Sequence, residues 1–368
     1  MWEQINISIL NPILPPWYYI FELYDEENRK NKCNYINRFE AKYFLYRYIR
    51  KYNKKLRSPS DVTTEFISNK ALFAVHCREH GLSAVRCLMV ADKGTIVPAE
   101  AGAPDLPKMD LFFKPLRGAG GRGAERWEYV DFQRYRNGSG IVRSEGELRA
   151  HLKELSLRES YIVRPTLGNH HDIADMSNGA LSTARIMTCR NERGGFEVTN
   201  AVYRMACREN SVVDNFHAGG IVAKVDIATG ILARAVEGGR WGTGTGWHDR
   251  HPTTGAQIVG RKLPYWEEAL ELTRRAHALA FSDQAVIGWD VALLDDGPCL
   301  VEGNKGPCVD LLQKPGREQL GNARLGELLA FNLRRAMDIK YSGGVRSMGA
   351  DGARLEVHSR NEPVSGTH

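Results

Sequence analysis

Apolar positions recur at spacings of three and four from residue 38 to 52, where Phe39, Tyr43, Tyr46, Ile49 and Tyr52 predict one face of a helix. Lys42, Arg47, Arg50 and Lys51 fall between them, so the same spacing puts the basic residues on its solvent side. A second helix is expected over 66–80, closed by Gly81. Short β-like runs follow in AVRCLMV, DLFFKP and RWEYVDF, then a charged helix, EGELRAHLKEL, and a strand, YIVRP. Residues 181–235 read as strands broken by turns at ERGG, AGG and ATG, and 236–262 as a long Gly-, Thr- and His-rich loop. A helix opened by Pro264 leads into IGWDVALL and CLVEGN, joined by a DDGP turn, and a last helix covers 322–338. Strands in mixed clusters, without strict βαβ alternation, point to an α+β protein.

Length changes this picture only by allowing two to three packed units in 368 residues, at roughly 150 residues per domain. Charge changes it more. The chain carries +6, yet residues 28–57 hold eleven Lys or Arg and one acid, Glu40. Taking that +10 away from +6 leaves −4 for everything else. The basic segment is therefore expected to meet an acidic partner or simply solvent. Nucleic-acid binding is not expected, because no zinc-finger, helix-turn-helix or RNA-recognition signature is present. Seven cysteines without a CxxC pair suit scattered reduced thiols. The apolar lead Ile5 to Phe21 is interrupted by Pro12, Pro15 and Pro16, whereas a membrane span needs about 20 continuous apolar residues. A cytoplasmic protein with no transmembrane segment is the expectation.

Chemistry concentrates at two places. Lys114 ends the DLFFKP run and is followed by Gly118, Gly120, Gly121 and Gly123. The glycines satisfy GxGxxG, but a strand and not a helix comes next, so a dinucleotide fingerprint does not fit. A glycine loop between antiparallel strands can cover phosphates with its backbone N–H groups, with Lys114 adding a compact cation. A plain glycine-rich hairpin is equally compatible with this spacing. The second place is IGWDVALLDDGPCLVEGN. With Asp290 opposite Glu302, the connection is Leu294 to Pro298, and Asn304 shares their face. Three oxygen side chains amid apolar neighbours would suit Mg2+. A one-residue slip would send the two acids to opposite faces.

Single residues add less. Arg185 is a guanidinium inside an apolar strand and needs a carboxylate or phosphate partner, structural or functional. Lys70 near a helix start fits an anion partner. Asn215 and His217 precede Gly219 and Gly220, which could let the backbone approach a ligand or could form a tight turn. His248, His251 and Asp249 lack a further spaced ligand, so no transition metal is assigned.

Taken together in order, WYYIFELYDEENR, SNKALFAVHCREHGL, DLFFKPLRGAGGRGAERW, YIVRPTLGNHHDIADMSNGALSTARIMT, VVDNFHAGGIVAKVDIATG, GWHDRHPTTGA and VIGWDVALLDDGPCLVEGNKGPCVDLLQ resemble the ATP-grasp superfamily. Within it the likeness is to the sugar-transfer-associated family, related to alpha-L-glutamate ligases, over about residues 15–335. The resemblance implies an ATP-grasp fold, two α+β lobes clasping ATP. A helical N-terminal extension (1–60) and a preceding segment (61–108) would come first. A small lobe (109–165), a large lobe (166–338) and a disordered tail (339–368) would follow. It implies that Lys114 and Lys70 meet the nucleotide phosphates, that Gly118, Gly120, Gly121 and Gly123 cover them, and that Ile162, Val163 and Arg164 form the hinge beside adenine. Arg185 would stabilise the transferred phosphoryl group and Asp290, Glu302 and Asn304 would hold Mg2+, with Arg204, Asn215, His217, Gly219 and Gly220 toward the substrate. Arg164 departs from the Gln or Glu usual at such hinges. Cys308 lies beside the metal residues, but this chemistry needs no nucleophilic thiol. The implied activity is an ADP-forming carboxylate–amine ligase using ATP, Mg2+ and small-molecule or saccharide substrates. A kinase acting on a hydroxyl and a non-catalytic ATP-binding protein are the alternatives.

Overall fold

The computed structural model describes residues 15–53, 63–99, 105–117, 122–207, 216, 219–239 and 243–345. Gly118, Gly120, Gly121, Asn215, His217 and the tail beyond 345 lie outside them. The described strands form two seven-stranded sheets. The first has the order β2-β1-β7-β3-β4-β5-β6. It is built from β1 (Met89–Asp92), β2 (Thr95–Pro98), β3 (Leu111–Pro115), β4 (Glu125–Asp131), β5 (Arg134–Asn137), β6 (Val142–Ser144) and β7 (Tyr161–Pro165). Because β1 pairs with β7, residues 89–92 join the same sheet as β3 and β4. The AVRCLMV run is a strand only from Met89 onward, with Ala84 making a single parallel bridge to Leu300.

The second sheet, β12-β11-β10-β9-β8-β13-β14, is antiparallel throughout. Its strands are β8 (Thr183–Arg190), β9 (Phe196–Met205), β10 (Ile221–Val225), β11 (Leu232–Glu237), β12 (Trp247–His248), β13 (Val286–Leu294) and β14 (Gly297–Asn304). Both faces are covered, so β8 and β13 are buried along almost their whole length. Ala184, Ile186, Trp289 and Val291 point into one core, and Met187, Cys189, Val202 and Val222 into another.

Nine helices are used below. Those near the N-terminus are α1 (Pro15–Ile20), α2 (Glu26–Lys30), α3 (Tyr46–Asn53), α4 (Thr64–Ser68) and α5 (Lys70–Glu79). Later ones are α6 (Glu145–Arg158), α7 (Trp266–Leu279) and α8 (Asp310–Gly316), and α9 (Arg324–Val345) closes the described chain. The last runs past its expected end at 338, consistent with the low cost of extending a helix once it is nucleated. The helix expected at 66–80 is broken at Asn69, whose side chain caps α5 by accepting from the Ala71 and Leu72 N–H groups at 3.0 and 3.2 Å.

The helix expected over 38–52 forms, with only part of its expected inner face buried. Glu40–Leu45 is π-helical, and the Tyr46 N–H closes onto the Ala41 carbonyl, five residues back. That wider turn buries Ala41, Tyr46 and Ile49 and leaves Phe39 and Tyr43 exposed. The N-terminal region is not a loose appendage either. Ala41, Tyr46 and Ile49 belong to the core of the large lobe. Trp17 Nε1 donates to both oxygens of Asp310 at 3.2 Å, and the Arg38 N–H adds a third bond at 3.1 Å.

Candidate active site

The acidic hairpin forms with Asp290 directly opposite Glu302 and Gly288 opposite Asn304. Its connection differs from expectation. The last pair is Leu294 with Gly297, so the turn is the two residues Asp295–Asp296 and not five. With unbroken pairing, so short a turn would set Asp290 against Val301 and aim Glu302 at the other face. A β-bulge prevents this: Val291 pairs with Leu300, Asp290 with Glu302, and Val301 is left over. The Val301 carbonyl instead accepts from Arg164 Nη1 at 3.1 Å. The same guanidinium donates through Nη2 to the Lys70 carbonyl at 3.0 Å. Arg164 therefore spends its hydrogen bonds tying β7 to β14 and α5, and burial lowers its pKa. The backbones of Ile162 and Val163 are laddered to β1 on one side and β3 on the other. A ligand on this strand would be met by side chains or by the backbone beyond Thr166.

Four cations surround the two acids. Lys114 projects from β3 and its Nζ lies 3.2 Å from Glu302 Oε2. Lys70, the first residue of α5, is buried and donates to the Leu116 carbonyl at 3.2 Å. Burial, and after it the Lys114 charge, pushes the Lys70 ammonium down to about 8. Arg185 on β8 pairs through Nε with Asp290 Oδ1, and Arg204 at the end of β9 reaches Asp290 Oδ2 at 3.1 Å. Thr183 accepts from Arg204 Nε at 3.1 Å and so aims it. Burial alone would raise the Glu302 pKa, but Lys114, Lys70, Arg185 and Arg204 together outweigh it and hold the carboxylate ionised.

The donor set fits a hard divalent cation: two carboxylates in facing register and an amide two residues on. The Asn304 Nδ2 is buried without a hydrogen-bond partner. Since amide orientation is an assignment, the opposite flip would put its acceptor oxygen there, ready for a cation. Gly123 holds φ +71°, and a Cβ there would sit 2.9 Å from the Tyr161 hydroxyl, so the end of the glycine loop admits no side chain. Gly219 and Gly220 lie just before β10, whose Val222 pairs with Arg204 of this cluster. His248 and His251 take separate partners, Glu237 at 2.9 Å and the Ala206 carbonyl at 3.1 Å.

Three contributors were not anticipated from sequence. Thr183 and the Val301 bulge had no legible signal. Gly288 had one, being a small residue two before Asp290 on the same face. A Cβ on it would lie 3.2 Å from Arg185 Cδ and 2.7 Å from Pro307 Cβ, so its lack of a side chain makes room for Arg185.

Against known proteins, the profile of sugar-transfer associated ATP-grasp proteins matches residues 43–325. No curated protein matches the sequence. Among solved structures, the L-amino acid ligase from Bacillus licheniformis is 15% identical, with a TM-score of 0.36 over 66% of this chain and 41% of its own. D-alanyl-alanine synthetase A from Vibrio cholerae is 10% identical, with a TM-score of 0.42 over 74% of this chain and 66% of its own. D-alanine–D-alanine ligase from Bacillus anthracis is 12% identical, with a TM-score of 0.40 over 76% and 70%. The chain thus spans less than two thirds of the length of the first two.

Proposed function

Because the chain belongs to the sugar-transfer associated ATP-grasp family, we propose that it is an ATP- and Mg2+-dependent ligase joining a carboxylate to an amine through an acyl phosphate. The observation that carries this reading is the convergence of Lys70, Lys114, Arg185 and Arg204 on Asp290 and Glu302. Such a cluster suits phosphoryl transfer, where catalysis is mostly positioning and charge neutralisation. Mg2+ on Asp290, Glu302 and Asn304 would supply further neutralisation of the phosphates.

The chain's own residues do the rest. Lys114 and Lys70, flanking the glycine loop, bind phosphate oxygens. Arg185 follows the γ-phosphoryl group as a substrate carboxylate oxygen attacks phosphorus and the bond to ADP breaks. Arg204, held by Thr183, steadies the acyl phosphate. The amine then attacks the acyl carbon, phosphate leaves with the bonding pair, and the amine's surplus proton passes to solvent. A saccharide or amino-acid-derived acceptor is the substrate class we favour.

The test is release of ADP and phosphate from ATP with Mg2+ across a matrix of carboxylates and amines, products being identified by mass spectrometry. An amide with one phosphate released per bond is the expected result. A phosphoester without free phosphate would replace the ligase reading with a kinase.

A further inference from the structure

The helix of residues 38–53 is held to the protein by a narrow stripe, Ala41, Tyr46 and Ile49, against α9 and the sheet beneath. Its other side is unusual for a solvent face. Phe39, Tyr43, Phe44 and Tyr48 are 43%, 49%, 62% and 47% exposed, and Lys42 and Arg47 are exposed between them. Of the eight exposed aromatic rings among the described residues, these four lie on this one helix. Phe39 and Tyr43 stack with centroids 5.7 Å apart. The Lys42 ammonium lies 5.5 Å from the Tyr43 ring and the Arg38 guanidinium 5.9 Å from Phe39. Catalysis as derived above uses none of these side chains; Phe39 and Arg38 also touch the buried Trp17, whereas Tyr43, Phe44 and Tyr48 are left at the surface.

We propose that this face seats the protein on an anionic lipid bilayer, with the helix parallel to the surface. Rings beside cations on one side of a helix match the headgroup boundary: the apolar body of Phe or Tyr enters it while Lys and Arg meet lipid phosphates. Charge complementarity gives the direction. Residues 28–57 carry +10 and all others together −4, so an anionic surface attracts this end and repels the remainder. A nucleic acid fits less well, because a helix reading base edges would carry Asn, Gln and Arg across its face, where this one exposes four rings and a single Arg among them. No described helix is long and apolar enough to cross a membrane, so the contact is peripheral.

The test uses the full chain in co-sedimentation with vesicles of phosphatidylcholine, with or without phosphatidylglycerol. Binding should require the anionic lipid and weaken with salt. Lys42→Gln with Arg47→Gln should lower the partition coefficient by about thirtyfold, from the contribution of two cations at such a surface. Phe44→Ser with Tyr48→Ser should lower it about tenfold or more, from lost apolar area. Phe132→Ser removes a ring that is 88% exposed on the small lobe and should leave partition unchanged. Thermal unfolding of each variant checks that the fold is kept. No binding to anionic vesicles would overturn the proposal. So would equal partition of all the variants, or capture by an acidic peptide or RNA without capture by vesicles.

Discussion

Asp290 holds two arginines at once, and replacing it by Asn exposes how much that pairing matters. Its side chain is 4% exposed and that of Arg185 8%, so solvent screening of the pair is slight. Asp290→Asn would leave four cations facing Glu302 alone. Removing one partner of a buried ion pair costs about 3–5 kcal/mol. The Asn carbonyl keeps one neutral acceptor for a guanidinium, which recovers about 1 kcal/mol. The expected net loss is therefore about 2–4 kcal/mol, a fall in Tm of roughly 5–15 °C at about 2–4 °C per kcal/mol.

Thermal unfolding without nucleotide measures this directly, and a double-mutant cycle identifies its source. Arg185→Met removes one of the stranded cations, so the double variant should be more stable than the sum of the single losses predicts, by about 0.5–3 kcal/mol. Phosphate release should fall at least about a hundredfold in Asp290→Asn, as expected when a charge contact to a transferring group is lost. An unchanged Tm, or strict additivity in the cycle, would refute the pairing. Wild-type turnover with Mg2+ still required would refute the metal assignment.

Lys70 links the site to pH. Its pKa of about 8, below the ordinary 10.5, means that between these values the unfolded chain binds the extra proton, so this group's contribution to stability rises with pH there. Its service to phosphates runs the other way: ATP affinity should fall above pH 8, and binding at that pH should take up protons in calorimetry across buffers of different ionisation enthalpy. Absence of proton uptake would detach Lys70 from the nucleotide. Gly288→Ala should displace Arg185, whose Cδ would be 3.2 Å from the new methyl, and lower kcat more than ATP affinity; unaltered kcat would mean that Arg185 does not touch the reacting groups. Arg164→Met should strand the Val301 carbonyl, left out of the ladder by the bulge, and cost about 1–3 kcal/mol in urea unfolding. Weakened ATP binding with an unshifted urea midpoint would instead return Arg164 to the nucleotide.

Much of the architecture was legible because it is local. The strands of both lobes follow apolar runs between glycine turns, the lysine precedes the glycines, and the face shared by Asp290, Glu302 and Asn304 follows from period two once their register is chosen. That choice was not legible: the turn and the bulge each shift register by one, and only their sum restores the facing acids. Expectation reached the right pair through a five-residue connection that does not exist. The partners of Asp310, Trp17 and Arg38, are 293 and 272 residues away, beyond the reach of any periodicity. The inner face of the 38–53 helix was half legible: Tyr46 and Ile49 are buried as the spacing predicts, while the π turn puts Ala41 beside them in place of Phe39 and Tyr43.

Those failures share a physical cause that bears on the chemistry. Sequence patterns report which residues are apolar, but a buried charge is tolerated only where its partners are, and those partners come from separate strands. Arg185, Arg204 and Lys114 reach the acids from β8, β9 and β3, while Lys70 joins them from α5. Lys114 pairs with Glu302, and Arg185 and Arg204 pair with Asp290. On the proposed reading, nucleotide phosphates would take up the cations and a metal the carboxylates, so these pairs would open on binding. Stability and phosphate handling should consequently respond together to any change that alters the balance of four cations against two carboxylates.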